Sequence, residues 1–113
     1  MNEELEIFKK KLLYRASYRG TKEMDILLSA FVKKHIEDFD LNNLNELENF
    51  LKFDDEIILN FYNHNKIERD IDKNPISKIF KNFRYFIFIY IFFHYIKVIK
   101  IIDNFILEFQ EFF

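Results

Sequence analysis

Arg15, Arg19, Glu23 and Asp25 bracket Gly20, the one glycine in a chain of 113 residues. Their types and spacing suit recognition chemistry. A step of four places Arg15 and Arg19 on one face of a helix. A guanidinium is a planar fork that grips a carboxylate or a carbonyl edge with two parallel hydrogen bonds. Glycine enters left-handed backbone that other residues resist, so it can end a helix and let another backbone come close. Glu23 and Asp25 then follow across the turn, within reach of the two guanidinium groups. Two outcomes stay open on spacing alone: a helix cap with surface ion pairs, which contribute little, or a charged docking surface.

The remaining chemistry-bearing residues assemble nothing comparable. Lys9, Lys10 and Lys11, with Arg15, Arg19 and Lys22, form a basic cluster that reads as a solvated helix face. Acids lie nearby, no recognition-helix pattern stands out, and the net charge is −2, so a nucleic-acid partner is not expected. His35, His64 and His94 form no metal-binding pair at helical spacing. His35, near Glu37 and Asp38, reads as a surface histidine at a helix end. Ser17 and Ser29 lack a nucleophile elbow, and there is no phosphate-cradling glycine loop. Without cysteine there is no thiolate and no disulfide, which fits a reducing compartment. No nucleophile, base and oxyanion donor come together. The expectation is a protein that is not an enzyme and binds neither metal nor cofactor.

The elements that must position the charged turn are helices. One glycine and one proline leave few places for tight β turns. Leu5, Phe8, Leu12, Leu13 and Ala16 recur at helical spacing, which predicts a first helix over about 3–18. Thr21 can cap the second, with Glu23 and Asp25 favoured in its first turn by the helix dipole. Met24, Leu27, Leu28, Phe31, Val32 and Ile36 make the clearest apolar stripe of the chain. Asp40 or Asn42 can cap a third helix carrying Leu44, Leu47, Phe50 and Leu51. Asp54 or Asp55 can cap a fourth carrying Ile57, Ile58, Phe61 and Tyr62. Residues 63–75 are polar and read as a connecting loop, and Pro75 suits the first position of a fifth helix. Short connections predict roughly antiparallel neighbours. The fold class is all-α: a small five-helix bundle with an added or extended aromatic C-terminal helix.

The composition shifts at Tyr85. Residues 85–113 hold half of the chain's aromatic residues, and the division expected is a helical domain over 1–84 with an aromatic extension over 85–113. The uninterrupted apolar run there is too short to span a bilayer, which needs about 20 residues. Extending it brings in His94, Lys97 and Lys100, which are costly in lipid. A long, partly exposed helix is expected rather than a span. The N-terminal Met1-Asn2-Glu3-Glu4-Leu5-Glu6 has neither the basic, apolar opening of a signal peptide nor the acid-poor composition of a transit peptide.

The run from Lys11 to Leu28 resembles the SdhE family, the succinate dehydrogenase flavinylation (assembly) factors. Their hallmark is Arg-Gly-x-x-Glu followed closely by Asp, after a helix of the type Arg-Leu-Leu-Tyr-Arg. Here it stands as Leu12-Leu13-Tyr14-Arg15 and Arg19-Gly20-Thr21-Lys22-Glu23 with Asp25. The resemblance continues through Phe31 and His35-Ile36, the helix from Leu44 to Leu51, and Phe53-Asp54-Asp55-Glu56-Ile57-Ile58-Leu59-Asn60-Phe61. It covers about residues 5–84. Thr21 stands where members usually carry Met, and Phe61 where Trp is common, which keeps an aromatic anchor without the indole N–H.

The resemblance implies a non-catalytic protein that binds the flavoprotein subunit of succinate dehydrogenase, or that of fumarate reductase, and promotes covalent attachment of FAD to it. The FAD belongs to the client. The residues implied in client binding are Arg15, Arg19, Gly20, Glu23, Asp25 and Phe61. It further implies a monomer for residues 1–84, without a membrane span, in the bacterial cytoplasm, or in the mitochondrial matrix if a targeting segment has been removed. The competing reading is an antitoxin-like or regulatory interaction module.

Overall fold

The computed structural model describes residues 2–83, 94–104 and 106, and every regular element among them is helical. The chain divides into two compact units, Met1–Phe83 and Arg84–Phe113. The first contains α1 (Asn2–Ser17), α2 (Lys22–His35), α3 (Leu41–Leu51), α4 (Asp55–His64), a 3-10 turn (Ile71–Lys73) and α5 (Pro75–Lys81).

Local chemistry sets the helix boundaries. Thr21 caps α2 by accepting the Met24 amide at 3.3 Å. Asp40 caps α3 by accepting that of Asn43 at 2.8 Å. Asn74 caps α5 by accepting that of Ile76 at 2.8 Å, and Pro75 takes the first helical position, where no amide hydrogen is needed. Asp54 stands at the N-cap of α4 without a side-chain cap bond. Asn65 ends α4 in left-handed backbone at φ 56°, one of the few roles in which a non-glycine residue tolerates it.

Each amphipathic helix turns its stripe inward. Leu12, Leu28, Phe31, Val32, Leu44, Leu47, Phe50, Ile58 and Phe80 are wholly buried. Phe80 lies at the centre, with ring centroids 5.1 Å from Phe31, 5.3 Å from Phe50 and 4.8 Å from Tyr62. These rings from α2, α3, α4 and α5 lock four helices into one core, and aromatic pairs at such separations add to simple area burial. Lys9 in α1 pairs with Glu37, just beyond α2, at 3.1 Å. The chain therefore doubles back at Gly20 and α1 and α2 run antiparallel.

Two details depart from the sequence expectation. Lys9 is 9% exposed rather than part of a solvated basic face. It sits at the helical register of Leu5, Leu12 and Ala16, and its ammonium reaches Glu6 and Glu37 at the edge of the core. Residues 63–75 are a connection, but not a wholly external one. Ile71 is fully buried in the 3-10 turn, which packs against α4 and α5.

In the second unit, residues 94–104 are helical, and Tyr95, Val98, Ile99, Ile101 and Ile102 are exposed. The expected aromatic helix from Tyr85 through Phe93 lies outside the described residues. Among those described, no helix is long and apolar enough to cross a membrane.

Candidate docking surface

Arg19 lies in the turn between α1 and α2, and its side chain is only 12% exposed. Its Nε donates to Asp55 Oδ1 at 2.8 Å, one terminal nitrogen to the Leu51 carbonyl at 2.6 Å and the other to the Phe53 carbonyl at 2.8 Å. Leu51 closes α3, whose last carbonyls have no partner within the helix. Asp55 opens α4. One guanidinium thus ties the α1–α2 turn to the α3–α4 junction, a task that uses the geometry of its fork as well as its charge.

Asp25 serves the same turn from the other side. Its carboxylate accepts the backbone N–H of Arg19, and its own amide donates to the Thr21 carbonyl at 2.9 Å. The expected pairing of Glu23 and Asp25 with the guanidinium groups is not what forms. Asp25 fixes backbone, the guanidinium of Arg19 goes to Asp55, and Glu23 is exposed with no ion pair among the described residues. Gly20 is exposed at φ 114°, and a Cβ built there meets nothing within 4 Å. The turn is held rigid by its flanks and open at its tip.

Arg15 also points away from the tip. It pairs with Glu48 of α3 at 3.1 Å, both partly exposed. Phe61 is 5% exposed and packs within the bundle, with the Lys81 ammonium 4.5 Å from its ring centroid. The six residues singled out from sequence thus separate physically. Gly20 and Glu23 face solvent, Arg15 is half-exposed, Arg19 and Asp25 hold the turn, and Phe61 lies in the core. Sequence reasoning missed Asp55 and Glu48 as ion-pair partners. It also missed Tyr14 and Tyr18, exposed on α1 with ring centroids 4.6 Å apart. Their i, i+4 spacing, off the Leu12–Ala16 stripe, was the available signal.

Residues 10–84 match the model of a protein family described as the flavinator of succinate dehydrogenase. The chain belongs to this family. Among the curated proteins similar to this chain, a mitochondrial succinate dehydrogenase assembly factor 2-B from Drosophila simulans is 44% identical over 50 residues, covering 44% of this chain and 32% of the fly protein. One from Drosophila persimilis is 53% identical over 38 residues, 34% of this chain and 24% of that protein. An assembly factor 2-A from Drosophila mojavensis is 51% identical over 39 residues, 34% and 25% of the two chains. The chain spans about a third of the length of the curated relatives it matches. No solved structure matches.

The flavinator match takes in the whole turn and its supports, from Arg15 through Phe61, and stops one residue past the end of the first compact unit. Residues 85–113 lie outside it. Within the matched region two groups have displaced titrations: Lys66, raised chiefly by its hydrogen bond to Glu68, and His35. The His35 ring stacks on Phe39 at 5.7 Å and lies 4.9 Å from Phe31. Burial there, and secondarily the Lys34 ammonium, lower its pKa below the usual 6.5, with Asp38 opposing. Lys9 moves the other way, raised chiefly by its hydrogen bond to Glu37.

Proposed function

We propose that this chain binds the flavoprotein subunit of succinate dehydrogenase and promotes covalent attachment of FAD to it, without supplying a catalytic residue. The observation that carries the reading is membership of the flavinator family over residues 10–84, a span that includes a turn held rigid by Arg19 and Asp25 and open at Gly20 and Glu23. In this reading the FAD is the client's. The chain acts by holding the apo-flavoprotein in the geometry that bond formation needs, a proximity effect on the client's own groups. Gly20 admits the client's backbone, and Glu23 meets a client cation or amide. The relatives are mitochondrial proteins by name; the mitochondrial matrix is proposed for this chain if a targeting segment has been removed, and the bacterial cytoplasm otherwise.

Co-expression of the flavoprotein subunit with this chain, read by in-gel flavin fluorescence, tests the proposal. Covalent flavin is expected to rise with the unmodified chain and to fall with Gly20→Arg and Glu23→Ala. Unchanged covalent flavin with both variants would remove the turn from the mechanism.

A further inference from the structure

Tyr14 and Tyr18 are 65% and 69% exposed, yet their rings pack on each other at 4.6 Å. They contribute nothing to the core, which α1 reaches through Leu12 and Ala16. Two aromatic rings already packed on each other on a helix surface, here tilted by 37°, present large apolar area at little further entropy cost, the property that makes tyrosine an interface anchor. Between them and α3 lies a groove of about 440 Å³, lined by Tyr14, Arg15, Tyr18, Glu48, Leu51 and Lys52. Tyr18 and Arg19 carry this groove directly into the Gly20 turn.

The charges around the rings do not cancel. Arg15 is neutralised by Glu48 and Arg19 by Asp55. Lys52 is exposed and has no ion pair among the described residues. The same holds for Lys11, one helical turn before Tyr14 and Arg15 on their face of α1. Asp54 and Asp55 do not line this groove, but they line an adjoining hollow that shares Tyr18, Arg19, Leu51 and Lys52 with it. The groove is therefore lined by two tyrosine rings and the Lys52 ammonium, and Lys11 lies on the same face of α1 as those rings; neither lysine is paired among the described residues.

We infer that this groove docks an acidic segment of the client flavoprotein, its carboxylates meeting Lys52 and Lys11 while its apolar side chains lie on the Tyr14–Tyr18 pair. The inference rests on the flavoprotein reading above and adds to it a second contact, distinct from the glycine turn and of stated chemistry. Because the rings and lysines are exposed, substitutions there leave the bundle folded, which circular dichroism and thermal melts verify.

The test is titration calorimetry of the full chain against the apo-flavoprotein subunit of succinate dehydrogenase. The double variant Tyr14→Ala/Tyr18→Ala is expected to weaken binding by about tenfold or more, and Lys52→Glu/Lys11→Glu by a similar factor. Tyr14→Phe/Tyr18→Phe and Lys52→Arg are expected to stay within about twofold of the unmodified chain. Raising salt from about 50 to about 300 mM is expected to weaken the unmodified chain more than the lysine variant. Binding by the unmodified chain that the tyrosine and lysine variants leave unchanged would overturn this inference and leave the flavoprotein reading standing. No binding by the unmodified chain would overturn both. A dimer of the unmodified chain, seen by light scattering and abolished by Tyr14→Ala/Tyr18→Ala, would assign the groove to a second copy instead.

Discussion

Arg19 and Asp55 stand 36 residues apart in sequence and 2.8 Å apart in space, joined from Nε to Oδ1. With the Leu51 and Phe53 carbonyls, they make Arg19 the bolt between two helix-to-helix junctions. Removing it leaves a part-buried carboxylate and two carbonyls without their donor. Arg19→Ala is expected to cost about 2–4 kcal/mol, since hydrogen bonds to charged groups contribute most when the partner left behind stays buried. Arg19→Lys keeps the charge but not the fork, and is expected to recover less than half of that loss. Urea denaturation of the two variants measures this. A double-mutant cycle with Asp55→Asn should return a favourable coupling between the residues; additivity would contradict the bolt.

Gly20 separates backbone strain from client contact. At φ 114° any side chain is strained, although a methyl group there has no neighbour within 4 Å. Gly20→Ala is therefore expected to cost about 1–2 kcal/mol through the backbone alone, a fall in Tm of roughly 4–8 °C per kcal/mol for a domain of this size. The folded variant should then bind the flavoprotein more weakly than its lost stability accounts for, because the added methyl occupies the space into which the client comes. Affinity equal to that of the unmodified chain, at a temperature where both are folded, would mean that no backbone approaches Gly20.

What the sequence revealed and what it hid follow from the range of the interactions. The stripe Met24, Leu27, Leu28, Phe31 and Val32 is legible because a helix repeats within a few residues, and all five are buried. Thr21, Asp40 and Pro75 are legible as helix starts because capping is chemistry between near neighbours. The task of Arg19 was not legible. Glu23 and Asp25 are its nearest acids in sequence, but Asp55 and two carbonyls from a distant junction take the guanidinium. No periodicity marks such a partner. Lys9 was hidden by its neighbours, since a run of three lysines reads as solvated. The spacing Leu5, Lys9, Leu12, Ala16 places it on the buried face. Ile71 was hidden because Ile67 and Ile71 alone in a polar stretch make no sustained stripe, and of the two only Ile71 is buried while Ile67 is exposed.

His35 should make stability depend on pH in the mildly acidic range. Its pKa is lowered below 6.5 in the fold by burial and by Lys34, against the pull of Asp38. The groups packed against the ring are Phe31, Phe39 and Phe83, none of which titrates. The unfolded chain thus takes up the proton at higher pH than the folded one. The stability this histidine contributes is complete above its unfolded pKa and is lost as pH falls through that value toward the folded one. Between about pH 7 and pH 5 the Tm of the unmodified chain is expected to fall. His35→Gln, which cannot titrate, should flatten that slope. An unchanged slope would assign the pH dependence to other groups.

Asn74 does two tasks with one amide, and substitution can separate them. Its Oδ1 caps α5 at the Ile76 amide, while its Nδ2 donates to the Glu46 carbonyl of α3 at 3.0 Å. The Ser77 hydroxyl then donates to the Asn74 carbonyl at 2.6 Å. The residue is 8% exposed, so water does not replace what is removed. Asn74→Ala loses both the cap and the tie and is expected to cost about 1–3 kcal/mol. Asn74→Asp keeps an acceptor for the Ile76 amide but sets an acceptor against the Glu46 carbonyl. It should fall between the unmodified chain and the alanine variant in urea midpoint. If Asn74→Asp matched the unmodified chain, the cap alone would account for the residue. If it matched Asn74→Ala, the tie to α3 would carry most of the stabilisation, and α5 would be held by its neighbour more than by its own first turn.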